Sequence, residues 1–224
     1  MPSIRDNIAE LQARIAQSAE RSGRSASEIT LCAVTKTVEP ARIQEAVQAG
    51  IRDLGENYYQ EAREKLSLLG DQVRWHFIGH LQTNKAKYIA GHFALVQSVD
   101  SLELARELSV RAVKAQVLQP ILLEVKLDPT ATKFGIAPEE TLSLAAQIAE
   151  LPDLRLDGLM GMAPFGDNPD QSRPHFARLR SLFEKLPPEN QVTLSMGMTA
   201  DFEVAIEEGA TLVRIGTAIF GRRG

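Results

Sequence analysis

Leu31-Cys32-Ala33-Val34-Thr35-Lys36 is a short apolar run that ends on a lysine. Aliphatic and β-branched residues fill it, a polar segment from Ser25 to Thr30 precedes it, and Pro40 opens a helix-like pattern after it. Together these read as a buried strand. An ammonium at the end of such a strand is costly unless it is paired, deprotonated or chemically used. Upstream, Ile4, Ile8, Leu11, Ile15 and Ala19 recur at spacings of three and four and mark an amphipathic helix ending near Gly23. Downstream the strand–helix unit recurs.

Strands are expected at residues 51–55, 74–79, 93–98, 120–127, 154–160, 192–196 and 211–215. Helical patterns separate them: 40–50, 57–70, a polar start at Thr83 leading to Gly91, one opening at Asp100-Ser101, 138–151, 174–186 and 199–208. Strands alternating with helices imply a parallel sheet. In a chain of 224 residues, eight such units favour a single closed (β/α)8 barrel spanning residues 1–224 over an open flavodoxin-like sheet, which is the competing fold. Too little chain follows the last strand for a full helix, so the extra N-terminal helix is expected to fill that gap in the outer ring.

Composition narrows the class. The chain is 44% hydrophobic and 24% charged with a net charge of -4, the profile of an ordinary α/β protein rather than of a nucleic-acid binder. Cys32 is the one cysteine, so no intrachain disulfide is possible and a reducing compartment fits. The polar N-terminus lacks a signal-peptide core, and no apolar run approaches the ~20 residues that cross a bilayer. A cytoplasmic protein with neither nucleic-acid nor membrane partner is expected, and a monomer.

Function in a parallel barrel gathers at the carboxyl ends of strands. Those ends carry Lys36, Gly55-Glu56-Asn57-Tyr58, Gly79-His80, Met160-Gly161-Met162, Ser195-Met196-Gly197-Met198-Thr199 and Arg214-Ile215-Gly216-Thr217. Strand alternation places Cys32 and Val34 on the face of Lys36, and Leu212, Arg214 and Gly216 together on the last strand. Barrels often hold phosphate at the loops after strands seven and eight. Ser195-Met196-Gly197 and Gly216-Thr217 supply hydroxyls and close backbone there, although the glycines alone are equally served by tight turns. Lys36 admits three readings: a core lysine reaching the rim, a phosphate partner, or a Schiff-base nucleophile whose amine is freed by an apolar setting. Arg214 faces either a ligand or a buried carboxylate such as Glu124. His76 and His80 would lie roughly 13 Å apart on a strand, too far to share a metal. The chain has no H-E-x-x-H, G-x-G-x-x-G or Walker lysine loop, and the Lys85/Lys87 and Arg222/Arg223 clusters read as solvated surface.

Five ordered motifs carry a resemblance: Ala33-Val34-Thr35-Lys36, Gly55-Glu56-Asn57-Tyr58, residues 76–85, Leu194-Ser195-Met196-Gly197-Met198, and residues 213–221. The chain resembles the pyridoxal phosphate homeostasis proteins along nearly its whole length. The resemblance implies the barrel of alanine racemase without that enzyme's second, β-rich domain. It also implies pyridoxal 5'-phosphate as cofactor, held as an internal aldimine on Lys36. Ser195, Gly216 and Thr217 would then bind the phosphate, Met196 and Gly197 would shape that loop, Arg214 would face the pyridine nitrogen, and Asn57 would lie beside the ring. No role carries over to His80. The family acts in vitamin B6 and amino-acid homeostasis without demonstrated turnover, as a carrier or regulator that meets apo-enzymes or regulatory proteins. Arginine at the ring nitrogen fits an inert holder, because it cannot supply the proton that makes the ring an electron sink. No tyrosine is placed as a second acid/base: Tyr58, Tyr59 and Tyr88 fall in helix starts or interiors. A slow amino-acid racemase and a phosphate-sugar aldolase using Lys36 are the rival readings.

Overall fold

The computed structural model describes residues 2–128, 134–164, 166 and 168–221. Eight parallel strands close into a barrel in chain order: β1 (Thr30–Val34), β2 (Asp53–Glu56), β3 (Arg74–Phe77), β4 (Leu95–Val99), β5 (Gln119–Val125), β6 (Leu154–Gly161), β7 (Thr193–Ser195) and β8 (Leu212–Ile215). Closure is made by β1 on β8, with Cys32 opposite Arg214 and Ala33 opposite Ile215. The open flavodoxin-like alternative is thereby excluded. Helices α2 (Pro40–Gln48), α3 (Tyr59–Leu69), α4 (Leu102–Ala115), α5 (Thr141–Ala149), α6 (Arg173–Phe183) and α7 (Phe202–Glu207) surround the barrel, and a single turn, α8 (Thr217–Phe220), follows β8.

The N-terminal helix α1 (Ile4–Arg21) starts at a capping box, in which the Ser3 and Asp6 side chains each accept from the other's backbone N–H. Its stripe of Ile4, Ile8, Leu11, Ile15 and Ala19 is buried. The helix packs on α7, α8 and α2 and fills the gap beside β8, as its sequence suggests.

Strand alternation divides the interior into two apolar zones. Ala33, Leu54, Val96, Leu123, Leu159 and Val213 point outward into the large core between strands and helices. Cys32, Leu95, Leu122, Met160 and Leu212 point inward and plug the barrel. Burial drives the Cys32 thiol far above its ordinary value, so it packs as a small apolar group. Lys36 lies beyond the end of β1 above this plug, and Arg214 stands beside it, opposite Cys32.

Two connections depart from the sequence pattern. The stretch from Thr83 forms a 3-10 segment (Thr83–Tyr88) rather than an α-helix. Only Ala86 within it is buried, so no continuous apolar stripe exists to carry a longer helix. The helix expected from Thr199 begins at Phe202, after a turn in which the Met198 carbonyl accepts the Asp201 and Phe202 N–H groups at 3.1 and 2.9 Å and the Asp201 carboxylate accepts the Met198 N–H at 2.7 Å. Residues 199–201 are thereby left at the barrel mouth. The Arg222/Arg223 pair lies outside the described residues.

Candidate functional site

A cavity of about 750 Å³ opens at the carboxyl ends of the strands. Lys36 and Asn57 line it from one side; Thr199, Ala200, Arg214, Gly216 and Thr217 line it from the other. Residues at the ends of the first and last strands therefore converge, since β1 and β8 are neighbours in the closed barrel.

Lys36 is half-buried and sits just beyond β1, in a turn rather than on the strand. Its neighbours are tightly held. The Thr35 carbonyl accepts from the Lys65 ammonium at 2.8 Å, and the Thr35 hydroxyl donates to Glu56 Oε1 at 2.6 Å. Lys65 also pairs with Glu56 at 2.7 Å, and both side chains are buried. On the other flank, the Thr37 N–H donates to Glu61 Oε2 at 2.8 Å. Thr37 has φ of 60°, in the left-handed region where a β-branched residue is an outlier. Such backbone costs of order 1–3 kcal/mol and persists only where its surroundings enforce it.

Asn57 follows β2, and its buried Oδ1 has no hydrogen-bond partner among the described residues. Buried polar atoms are nearly always partnered, so this oxygen stands out, although it is closed off from solvent while other parts of Asn57 line the cavity. Its backbone is pressed against Gly79: a Cβ there would stand 2.3 Å from the Asn57 carbonyl oxygen. Only glycine allows that approach.

Arg214 is buried on β8, faces inward and reaches the cavity floor. One guanidinium nitrogen donates to the Ser195 hydroxyl and another to the Gly161 carbonyl at 3.1 Å. Ser195 Oγ donates to Gln97 Oε1 at 2.6 Å, Gln97 Nε2 lies 2.9 Å from His76 Nδ1, and His76 Nε2 lies 3.0 Å from Asp53 Oδ1. Arg74 grips the same carboxylate through both oxygens at 2.8 and 2.6 Å. Burial alone would raise the Asp53 carboxyl, but the hydrogen bonds from His76 and Arg74 prevail and hold it at about 2. A hydrogen-bonded chain thus runs from the cavity floor to the opposite pole of the barrel.

The ion pair envisaged between Arg214 and Glu124 is not a direct contact: Arg214 gives its hydrogen bonds to Ser195 and Gly161. Glu124 nevertheless feels that charge. Burial and then the neighbouring Asp100 push its carboxyl up to about 7, against the opposing pull of Arg214. His80 stands outside the cavity lining, stacked on Phe134 with centroids 3.5 Å apart and 3.6 Å from Asp100. Tyr59 and Tyr88 stack on each other at 5.0 Å, Tyr58 is 59% exposed, and none of the three lines the cavity.

Ser195, Met196 and Gly197, expected at the phosphate loop, are buried beneath the mouth and are not among the residues that line the cavity. The Ser195 hydroxyl is already committed to Gln97 and Arg214, Met196 packs in the outer core, and Gly197 has φ of 92° where a Cβ would meet Ala205 at 2.6 Å. The loop that reaches the mouth is the next one, Thr199-Ala200, exposed by the late start of α7. Gly216 and Thr217 do line the cavity. The turn they open is braced from below, where Asn7 donates to the Ile219 carbonyl at 2.9 Å and Arg42 to that of Phe220. Sequence reasoning missed Thr199, Gln97, Glu61 and Lys65. The i, i+4 spacing of Glu61 and Lys65 on an amphipathic helix was the one available signal.

The closed (β/α)8 barrel falls in a known class: the alanine racemase N-terminal domain, whose family model matches residues 3–224. The chain is 43% identical over 222 residues to the pyridoxal phosphate homeostasis protein of Aquifex aeolicus, covering 97% of each chain. It is 45% identical over 224 residues to the protein of the same name from Pseudomonas aeruginosa, covering 100% of this chain and 97% of that one. The chain belongs to the pyridoxal phosphate homeostasis protein family. The solved structure of PipY from Synechococcus elongatus PCC7942 with PLP bound matches it with a TM-score of 0.86 and 35% identity, over 98% of this chain and 100% of that one.

Proposed function

We propose that this protein binds pyridoxal 5'-phosphate at the barrel mouth, retains it without turnover, and serves intracellular vitamin B6 and amino-acid homeostasis. The convergence of Lys36 and Arg214 on one cavity carries this reading. The residues present fit the cofactor. The cavity of about 750 Å³ is lined by a lysine and an arginine, with Asn57 beside them. When bound, the cofactor supplies an electrophilic aldehyde carbon and a phosphate dianion. Lys36 offers the nucleophilic amine that anchors it. Backbone N–H groups and hydroxyls at Thr199-Ala200 and Gly216-Thr217 would hold the phosphate, in place of Ser195. Arg214, which only donates and keeps its protons, would leave a ring nitrogen unprotonated and so withhold the electron sink that carbanion chemistry needs.

Non-catalytic retention also agrees with the tyrosines, none of which reaches the cavity to act as a second acid/base. Among the described residues no helix is long and apolar enough to cross a membrane. We take the working form as a cytoplasmic monomer, the whole chain acting as one cofactor-binding unit, with apo-enzymes or regulatory proteins as recipients. Adding pyridoxal phosphate to the purified protein is expected to produce a visible absorbance band that survives dialysis and is absent in Lys36→Ala. No band in the wild type would overturn the reading. Deuterium exchange at the α-carbon of amino acids at turnover rates, dependent on Lys36, would instead make the protein an enzyme.

A further inference from the structure

We propose that Glu61 and Lys65 of α3 are positioning residues for the Lys36 amine, holding the turn that carries it in a strained form. The inference rests on the cofactor reading above. Each peptide group flanking Lys36 is gripped by one of these side chains: Lys65 Nζ donates to the Thr35 carbonyl, and Glu61 Oε2 accepts the Thr37 N–H, both at 2.8 Å. The two grips come from successive turns of one helix, and the gripping groups lie 3.7 Å apart. Fixing the peptides on both sides of a residue fixes the direction of its Cα–Cβ bond, and with it where a long side chain can reach.

Docking α3 on the barrel does not require this arrangement. Ala62 and Leu69 already bury an apolar face of the helix, and an apolar residue at position 65 would avoid the desolvation of a buried ammonium. Instead Lys65 is buried with the Glu56 carboxylate and the Thr35 carbonyl as partners, directly behind the turn. Thr37 supplies the second observation. A β-branched residue at φ of 60° reverts to negative φ once nothing enforces the conformation. Glu61 is the group bonded to its N–H. The Val38 N–H also closes this turn on the Thr35 carbonyl at 3.0 Å, so loss of the carboxylate loosens the Lys36–Thr37 peptide rather than releasing the turn, and shifts the amine within the cavity while Thr199, Gly216 and Thr217 stay where they are.

The test separates reach from binding. Band formation is timed after mixing apo-protein with pyridoxal phosphate, and affinity is measured separately for pyridoxine 5'-phosphate, which lacks the aldehyde. Glu61→Ala and Lys65→Arg are expected to slow band formation by about tenfold or more while analogue affinity stays within about twofold. Thr37→Gly, placed in the Glu61→Ala background, is expected to restore most of the rate, because glycine adopts positive φ unaided. Unchanged rates overturn the proposal, as do rates that fall in step with analogue affinity, or a Glu61→Ala defect that Thr37→Gly leaves in place. A second readout needs no cofactor: glyoxylate with cyanoborohydride, scored at Lys36 by mass spectrometry. There the amine adds to the aldehyde carbonyl, water leaves, and hydride reduces the C=N bond to a secondary amine. A wild type that gives no band with pyridoxal phosphate overturns the cofactor reading alone. The glyoxylate ranking of the same variants then supports or overturns the positioning role by itself.

Discussion

The two walls of the mouth hold their cations by opposite means. On the β1–α3 wall, Lys36 rides a strained turn, and charged side chains on a surrounding helix grip that turn from outside the barrel. On the β7–β8 wall, Arg214 stands on a regular strand and is held from inside by a chain of mostly neutral hydrogen bonds. The ends of that chain set its direction, since a guanidinium only donates and an ionised carboxylate only accepts. Arg214 donates to Ser195, Ser195 to Gln97 Oε1, the Gln97 amide to His76 Nδ1, and His76 Nε2–H to Asp53. Reversing one link breaks its neighbours, so this wall is rigid. The other wall is held by charged side chains around a displaced backbone torsion, so loss of one charge bears directly on the turn. A holder that must both keep and give up an aldehyde would gain from that asymmetry.

The largest expected effect tests the charged wall. Lys65→Met leaves the Glu56 carboxylate, 0% exposed, without its cation. Breaking such a pair costs about 3–5 kcal/mol, on the order of 10 °C in melting temperature for a chain of this size. Adding Glu56→Gln is expected to recover most of the loss in urea titrations. Simple additivity of the two substitutions would mean that the pair is not the coupling the geometry suggests.

Next comes Glu124, which tests how the Arg214 wall manages charge without a contact ion pair. Its carboxyl titrates near 4.5 when unfolded and at about 7 when folded. Between these values the unfolded chain releases a proton that the folded chain retains, so stability falls as pH rises from about 4.5 to 7. The loss is complete above that window and amounts to roughly 3 kcal/mol as an upper figure. Glu124→Gln is therefore expected to stabilise the protein at pH 8 and to change little at pH 4.5. Parallel stability–pH curves for wild type and variant would remove Glu124 from the balance.

A smaller effect probes the hydrogen-bond chain. Gln97→Leu strands the Ser195 hydroxyl and His76 Nδ1 in a dry interior, at a cost of about 2 kcal/mol. Arg214 then loses its fixed acceptor, and weaker retention of pyridoxal phosphate through dialysis is expected. Full retention would show that Ser195 and Gly161 hold the guanidinium without Gln97 behind them.

Much of this architecture was legible in the sequence because it is local. Two-residue alternation in β1 and β8 put Cys32, Leu212 and Arg214 on one face, and all three are inside the barrel. Lys36 and Arg214 stood out because each is a charge attached to an apolar strand. Ser195 was read the same way, as a hydroxyl at a strand end, but its bond to Gln97, 98 residues away, is one that no periodicity can reveal. Thr199 looked like the start of a helix; in the structure residues 199–201 form a turn just ahead of α7, with the Met198 N–H on the Asp201 carboxylate. Lys65 reads in sequence as one more polar residue of α3; its burial follows from where Glu56 and Thr35 arrive in three dimensions.

The smallest expected effect bears most directly on the contrast between the walls. Thr37→Asn keeps a side chain but substitutes a residue far more tolerant of positive φ. The strain released is a fraction of the 1–3 kcal/mol that such backbone stores, so a gain of about 1 kcal/mol in unfolding free energy is expected for the cofactor-free protein. Glycine at the same position would gain less, because the unfolded chain recovers roughly 0.5–1 kcal/mol of entropy. The ranking Asn above Gly above Thr in urea titrations is thus specific to a strained turn. A destabilised Thr37→Asn would show that the threonine is held by its own side-chain contacts, and the two walls would then differ in chemistry but not in rigidity.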